Sequence, residues 1–250
     1  MRATACLLAA GLAVALGPVV STPHAQVAPP AGFVSIFNGK DLTGWKIPEG
    51  DGGHWKVVDG VIDYDAGSEA KDKNLWTVKA YKNFVAKIDW RIKATPFISK
   101  NMKIVMPDGH NKLDENGKEI NLTAPDSDSG FILRGSSKAQ LNIWCWPVGS
   151  GEMYGYRNDA KMPPAIRAAA TPKMNADNDI GKWNTFEVTV QGSTVSLLVN
   201  GKSVIEKITL PDLPAEGPLG LQHHGEVKDG VYTGIPALVQ FRNIYVKELP

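Results

Sequence analysis

The chain has 250 residues, 43% of them hydrophobic, with a formal net charge of +1. That balance argues against nucleic acid or an anionic membrane as the main partner. The length allows one or two domains, and all-β folds often fill it as one; 25 glycines and 17 prolines fit a turn-rich β protein.

Residues 1–25 read as a secretory signal peptide: a positive start at Met1–Arg2, an apolar run over 3–20 and a cleavage region ending near Ala25. The expected location is therefore secreted or periplasmic. An uncleaved anchor is the alternative, but the apolar run is short and nothing later resembles a spanning helix, so no membrane insertion is expected after cleavage. The mature chain keeps only Cys145 and has no internal disulfide to rely on. Residues 26–31 read as a Pro/Ala linker and 32–250 as a single domain.

Within that domain, Phe33–Phe37 is expected as a strand. Trp55–Val58 and Val61–Tyr64 read as a hairpin closed by Asp59-Gly60. Asn74–Val78 is the next strand. Phe84–Lys93 alternates cleanly, with Phe84, Ala86, Ile88, Trp90 and Ile92 on one face and charged residues opposite, as in a half-buried antiparallel strand. Residues 99–127 are expected to be a long irregular loop of the kind that often acts as a lid. Pro163-Pro164 ahead of Ala165–Ala170 predicts one short helix with proline in its first turn. Strands follow at 183–190, 194–199, 203–208, 219–224 and 237–247, with Asn200-Gly201 closing a hairpin. The class is therefore all-β: a two-sheet antiparallel β-sandwich or jelly roll with long loops and one short helix.

The most informative stretch is 128–157. Phe131–Arg134 and Ala139–Trp146 read as two strands around a small-residue turn at Gly135–Lys138. Alternation places Ala139, Leu141, Ile143 and Cys145 on one apolar face and Gln140, Asn142, Trp144 and Trp146 on the other. Amides mixed with indoles and no charge suit a sugar, because indole stacks on the C–H face of a pyranose and amides serve its hydroxyls. The bland alternative is tryptophans in the core with the amides satisfied by loops.

Several segments together resemble a known family: FNGKDLTGW at 37–45, WKVVDGVI at 55–62, SGFILRG at 129–135, GEMYGYR at 151–157, WNTFEVTVQG at 183–192 and GPLGLQHHGEV at 217–227. In order and spacing they are similar to the 3-keto-disaccharide hydrolase family. The resemblance spans about residues 33–249. It implies a concanavalin A-like lectin/glucanase jelly roll, a concave sugar-binding face, and cleavage of glycosides already oxidised to a ketone at C3. Family members commonly carry Tyr-Glu-Val-Gln in the strand after the LRG motif, with an acid soon after. Here Ala139-Gln140-Leu141-Asn142 and Cys145 occupy those places.

A 3-keto sugar needs a base near C2, a group for the enolate oxygen and an acid for the leaving oxygen. His224 is the preferred base, since it shares a face with Gln222 and histidine is the residue type best suited to proton transfer near working pH. Arg134, Arg157 and Tyr154 are the candidate stabilisers or donors. Gln140, Asn142, Trp144, Trp146, Gln222, Asp128 and Glu152 are the expected substrate contacts. A divalent metal on His223, His224 and Glu226 with Asp128 or Glu152 is an open expectation, although adjacent strand histidines face opposite ways. The expected partner is a small-molecule carbohydrate. A non-catalytic carbohydrate-binding module is the alternative. A conventional glycosidase is weaker, because the E-x-D-x-x-E strand is absent.

Overall fold

The structure is a computed structural model that describes residues 27–250. The leader expected over 1–25 lies outside the described residues. In chain order the strands are Val34–Ser35 (β1), Trp45–Lys46 (β2), Lys56–Val58 (β3), Val61–Asp63 (β4), Leu75–Tyr81 (β5), Phe84–Ile92 (β6), Phe97–Lys103 (β7), Asn121–Asp126 (β8), Asp128–Leu133 (β9) and Ser136–Trp144 (β10). After the helices Tyr154–Arg157 (α1) and Pro164–Ala169 (α2) come Asn184–Gln191 (β11), Thr194–Val199 (β12), Lys202–Thr209 (β13), Gly217–Leu221 (β14), Val227–Lys228 (β15), Val231–Tyr232 (β16) and Val239–Glu248 (β17).

Two antiparallel sheets form the sandwich. One runs β13-β12-β11-β6-β17-β4-β3 with β1 added beside β17, and the other runs β10-β9-β14-β5-β2. The architecture is a jelly-roll β-sandwich, as the strand pattern predicted. Its core follows from alternation. Phe84, Ala86, Ile88, Trp90 and Ile92 of β6 all point between the sheets and are buried. From the opposite sheet, Leu75, Leu221, Phe131 and Leu141 lie in register and are fully buried against them. Asp59-Gly60 and Asn200-Gly201 close their hairpins with positive φ at both central positions, which is what a two-residue primed turn requires.

Several expectations change. The strand expected at 219–224 ends at Leu221 and the one expected at 139–146 ends at Trp144, so Gln222, His223, His224 and Trp146 lie just beyond their strands. The first strand shrinks from 33–37 to Val34–Ser35. The segment 99–127 is not an irregular loop: β7 pairs with β8, and the bridges Val105–Asn111 and Leu113–Glu119 extend the hairpin around the PDG and ENG turns. Its exposed residues gave no clean period-2 alternation, so only the turns were legible. Finally, α1 had no sequence signal, being only four residues long. The helix expected after Pro163-Pro164 is α2. No helix of the described residues is long and apolar enough to cross a membrane.

Candidate functional site

The outer face of the five-stranded sheet presents side chains in rows. Trp144 pairs with Asp128, and His224 lies beside Asp128 with Nε2 3.6 Å from Oδ2. Asn142 pairs with Gly130, whose carbonyl accepts from the Gln222 N–H at 2.9 Å. Gln140, Ile132, Gly220 and Trp76 then form one row across four strands. Each row alternates with the core row Leu141–Phe131–Leu221–Leu75, so the same period that builds the core builds this face.

Asp128, Gln140, Asn142, Trp144, Trp146, Tyr154, Gln222 and His224 line a cavity of about 360 Å³, together with Ser137, Gly155 and Ile235. Gln140, Asn142 and Trp144 are nearly buried, at 8%, 3% and 3% exposure, because α1 folds over the end of β10. Gln140 Nε2 donates to Asn142 Oδ1 at 2.5 Å. Gly130 makes that arrangement possible, since a Cβ there would sit 2.6 Å from the Gln140 side chain. Trp144 and Trp146 stack at 4.0 Å with an interplanar angle of 7°. Their indole N–H groups donate to the Gly149 carbonyl and to Asp126 Oδ2. Both rings also border a second cavity of about 290 Å³, beyond which stand Asp177, Asn178 and Asn184.

His224 Nδ1 lies 2.7 Å from the Ile235 carbonyl oxygen. A carbonyl only accepts, so Nδ1 carries the hydrogen in the neutral ring and Nε2 keeps its lone pair on the Asp128 side. Burial pushes the Asp128 carboxyl up to about 7; nearby Asp126 adds to the rise and His224 opposes it. Asp128 Oδ1 and Gln222 Oε1 are buried without a hydrogen-bond partner among the described residues. Unpaired acceptors facing a cavity are what a polyhydroxylated ligand would satisfy.

Other candidates lie elsewhere. Arg134 is outside the cavity: in a left-handed conformation (φ 48) it donates to the carbonyls of Gly192, Pro214 and Lys82, stapling three loops at one end of the sandwich. Glu152 and Arg157 are a buried ion pair behind α1, and neither lines the cavity. Arg157 also reaches Asn111 Oδ1 at 3.1 Å and the Gly109 carbonyl at 3.3 Å, which fixes the β7–β8 hairpin to α1. Burial raises the Glu152 carboxyl to about 7 against the pull of Arg157. Cys145 packs against the core, and burial pushes its thiol up to about 12. It is a small hydrophobe rather than a nucleophile.

The metal expectation finds no assembled ligand set. His223 faces away, its Nδ1 2.5 Å from the Tyr64 hydroxyl, and burial pushes it down to about 4. Glu226 pairs with Lys73, and Glu152 with Arg157. No three His, Cys, Asp or Glu side chains converge among the described residues. Sequence reasoning missed Ile235, whose carbonyl orients His224. A backbone carbonyl carries no residue-type signal, so no local pattern marks it.

The chain belongs to the 3-keto-alpha-glucoside-1,2-lyase-like family, whose model matches residues 32–247. It is 22% identical over 191 residues to a 3-keto-disaccharide hydrolase of Bacteroides thetaiotaomicron, matching 70% of this chain and 58% of that protein. The chain thus spans little more than half the length of this curated relative. A crystal structure from Parabacteroides distasonis, of a protein described as a candidate glycosyl hydrolase, aligns with a TM-score of 0.54 at 21% identity. It covers 88% of this chain and 95% of that one. That likeness concerns the fold.

Proposed function

We propose that this cavity cleaves 3-keto-glycosides by β-elimination and rehydration, with His224 as the base. The observation that carries the reading is the His224–Asp128 pair. The Ile235 carbonyl fixes the imidazole with Nε2 free, 3.6 Å from a buried carboxyl that still binds a proton near pH 7. Family membership supports the same chemistry.

A ketone at C3 makes the C2 hydrogen acidic. His224 Nε2 takes that proton, and the electron pair moves into an enolate on the C3 oxygen. Return of that pair expels the C1 substituent and forms a C1=C2 bond. Asp128 supplies the proton to the departing oxygen. Water then adds at C1, giving one proton back to Asp128, while His224 returns its proton to C2. The net change is hydrolysis. Asn142, Gln140 and Gln222 hold the ring hydroxyls, and Trp146 with Tyr154 walls the sugar. Two carboxylates of a conventional glycosidase are not placed here, since Glu152 is locked to Arg157 outside the cavity.

The amides on β10 favour a second reading, a sugar-binding module without chemistry. One experiment separates the two. The chain is incubated with a 3-keto-glucoside and, separately, with the unoxidised glucoside, and release of the aglycone and of 3-keto-glucose is followed. Release from the keto form alone is expected. Saturable binding of both sugars with release from neither would replace the enzyme with the binding module.

A further inference from the structure

We infer that the sugar site does not end at the reaction cavity but continues across the five-stranded sheet to a second stacking platform on Trp76, so that the ligand is an oligosaccharide. The inference rests on reading the cavity as a sugar site, and it adds the length of the ligand. Three hollows run into one another along this face. The reaction cavity shares Ser137, Gln140 and Gln222 with the next hollow, of about 360 Å³. That one shares Lys71, Asp72 and Asn74 with a third, of about 540 Å³, which Trp76 lines.

The geometry of Trp76 is that of a platform. It lies directly opposite Gly220 in the strand register. A Cβ on Gly220 would come within 2.5 Å of the six-membered ring of the indole, so the ring packs directly on the bare backbone of the neighbouring strand. Asp72 Oδ2 accepts from its Nε1 at 3.0 Å and fixes the rotation. The ring is half-buried, leaving its outer face toward the groove. Gly130 beneath Gln140 repeats the device, and Ile132 between them gives an apolar floor outside the core cluster.

The span sets the ligand size. Gln140 of the reaction cavity and Trp76 stand three interstrand spacings apart in one row, which is about 14 Å. A single pyranose does not cover that distance, whereas two or three linked rings do. The groove between offers Gln140, Gln222 and Asn74 as hydroxyl partners, and its charges cancel, with Lys73 paired to Glu226 and Lys71 beside Asp72. At the far end Lys46 and Lys71 are balanced by Glu49 and Asp72, so a neutral glycan suits it better than an anionic one.

The test measures binding of unoxidised glucose, disaccharide and trisaccharide glucans to the full chain by calorimetry. It compares the parent with Trp76→Ala and with Gly220→Ala, whose Cβ would tilt the indole off the sheet. Affinity is expected to rise about 10-fold or more from mono- to trisaccharide in the parent. In both variants that rise is expected to vanish while the melting curve stays cooperative. A parent with no length dependence, or variants that keep it, would overturn the inference. Because binding needs no turnover, loss of the 3-keto chemistry with length dependence intact would sink the proposed reaction alone.

Discussion

Nε2 of His224 faces Oδ2 of Asp128 at 3.6 Å, and the Ile235 carbonyl on the other side of the ring fixes which nitrogen is free. A main-chain acceptor thus does for this histidine what a carboxylate does in a catalytic triad: it chooses the tautomer. His224→Ala is therefore expected to lower turnover of a 3-keto-glucoside by roughly 100- to 10,000-fold. Sugar affinity should fall far less. Single-turnover kinetics beside calorimetry measure the two effects separately, and equal losses in both would make His224 a binding residue.

The carboxyl of Asp128 would give the proposed reaction a pH dependence. Burial holds it at about 7 instead of 3.8. As the proton donor it is lost above that value, so turnover should decline as pH rises through about 7. Asp128→Asn is expected to remove most activity, and a variant with parental activity and an unchanged profile would exclude the donor role.

Stability carries the same signature. The folded chain keeps a proton on Asp128 between 3.8 and about 7 that the unfolded chain has released. That contribution is complete below 3.8 and is lost as pH rises through about 7. Asp128→Asn should accordingly raise the melting temperature relative to the parent well above neutral pH and change it little in mild acid. Thermal scans across pH check the sign.

Breaking the Glu152–Arg157 pair has a structural cost. Glu152→Ala leaves a buried guanidinium without its counter-charge, which typically costs about 3–5 kcal/mol. The same change loosens the hairpin that Arg157 holds through Gly109 and Asn111. Denaturant unfolding measures the loss, and hydrogen exchange should show it concentrated in β7 and β8.

The two stacked indoles should respond differently to truncation. Trp144 is 3% exposed and hydrogen-bonded to Gly149, so Trp144→Ala removes a packed side chain, at about 3–5 kcal/mol. Trp146 is only partly buried, so Trp146→Ala should weaken sugar binding with a smaller change in stability. Equal binding by the Trp146 variant and the parent would remove the stacking wall from the site.

Much of this could be read before any coordinates. The β6 alternation and the Gln140–Trp144 face follow from the period of two, which any strand must obey. Counting the same rule through to His224 overruns β14, which ends at Leu221, and contact with the Ile235 carbonyl is what places that ring. The Asp59-Gly60 and Asn200-Gly201 turns follow from local backbone chemistry. What local rules cannot carry is distance across the chain. Arg134 sits in a motif next to the site strands, yet its guanidinium turns to loops 52 and 80 residues away. Glu152 and Arg157, five residues apart, satisfy one another before either reaches a ligand.

By itself, the sequence determined the class of fold and the apolar and amide faces of β10, because these depend on alternation and turn chemistry between near neighbours. Only the tertiary structure decided that Asp128 is the partner of that histidine, that Ile235 sets its tautomer, and that Trp76 lies in the same row as Gln140. Those pairings join residues that neighbour one another in space but share no strand, so no sequence period reaches between them.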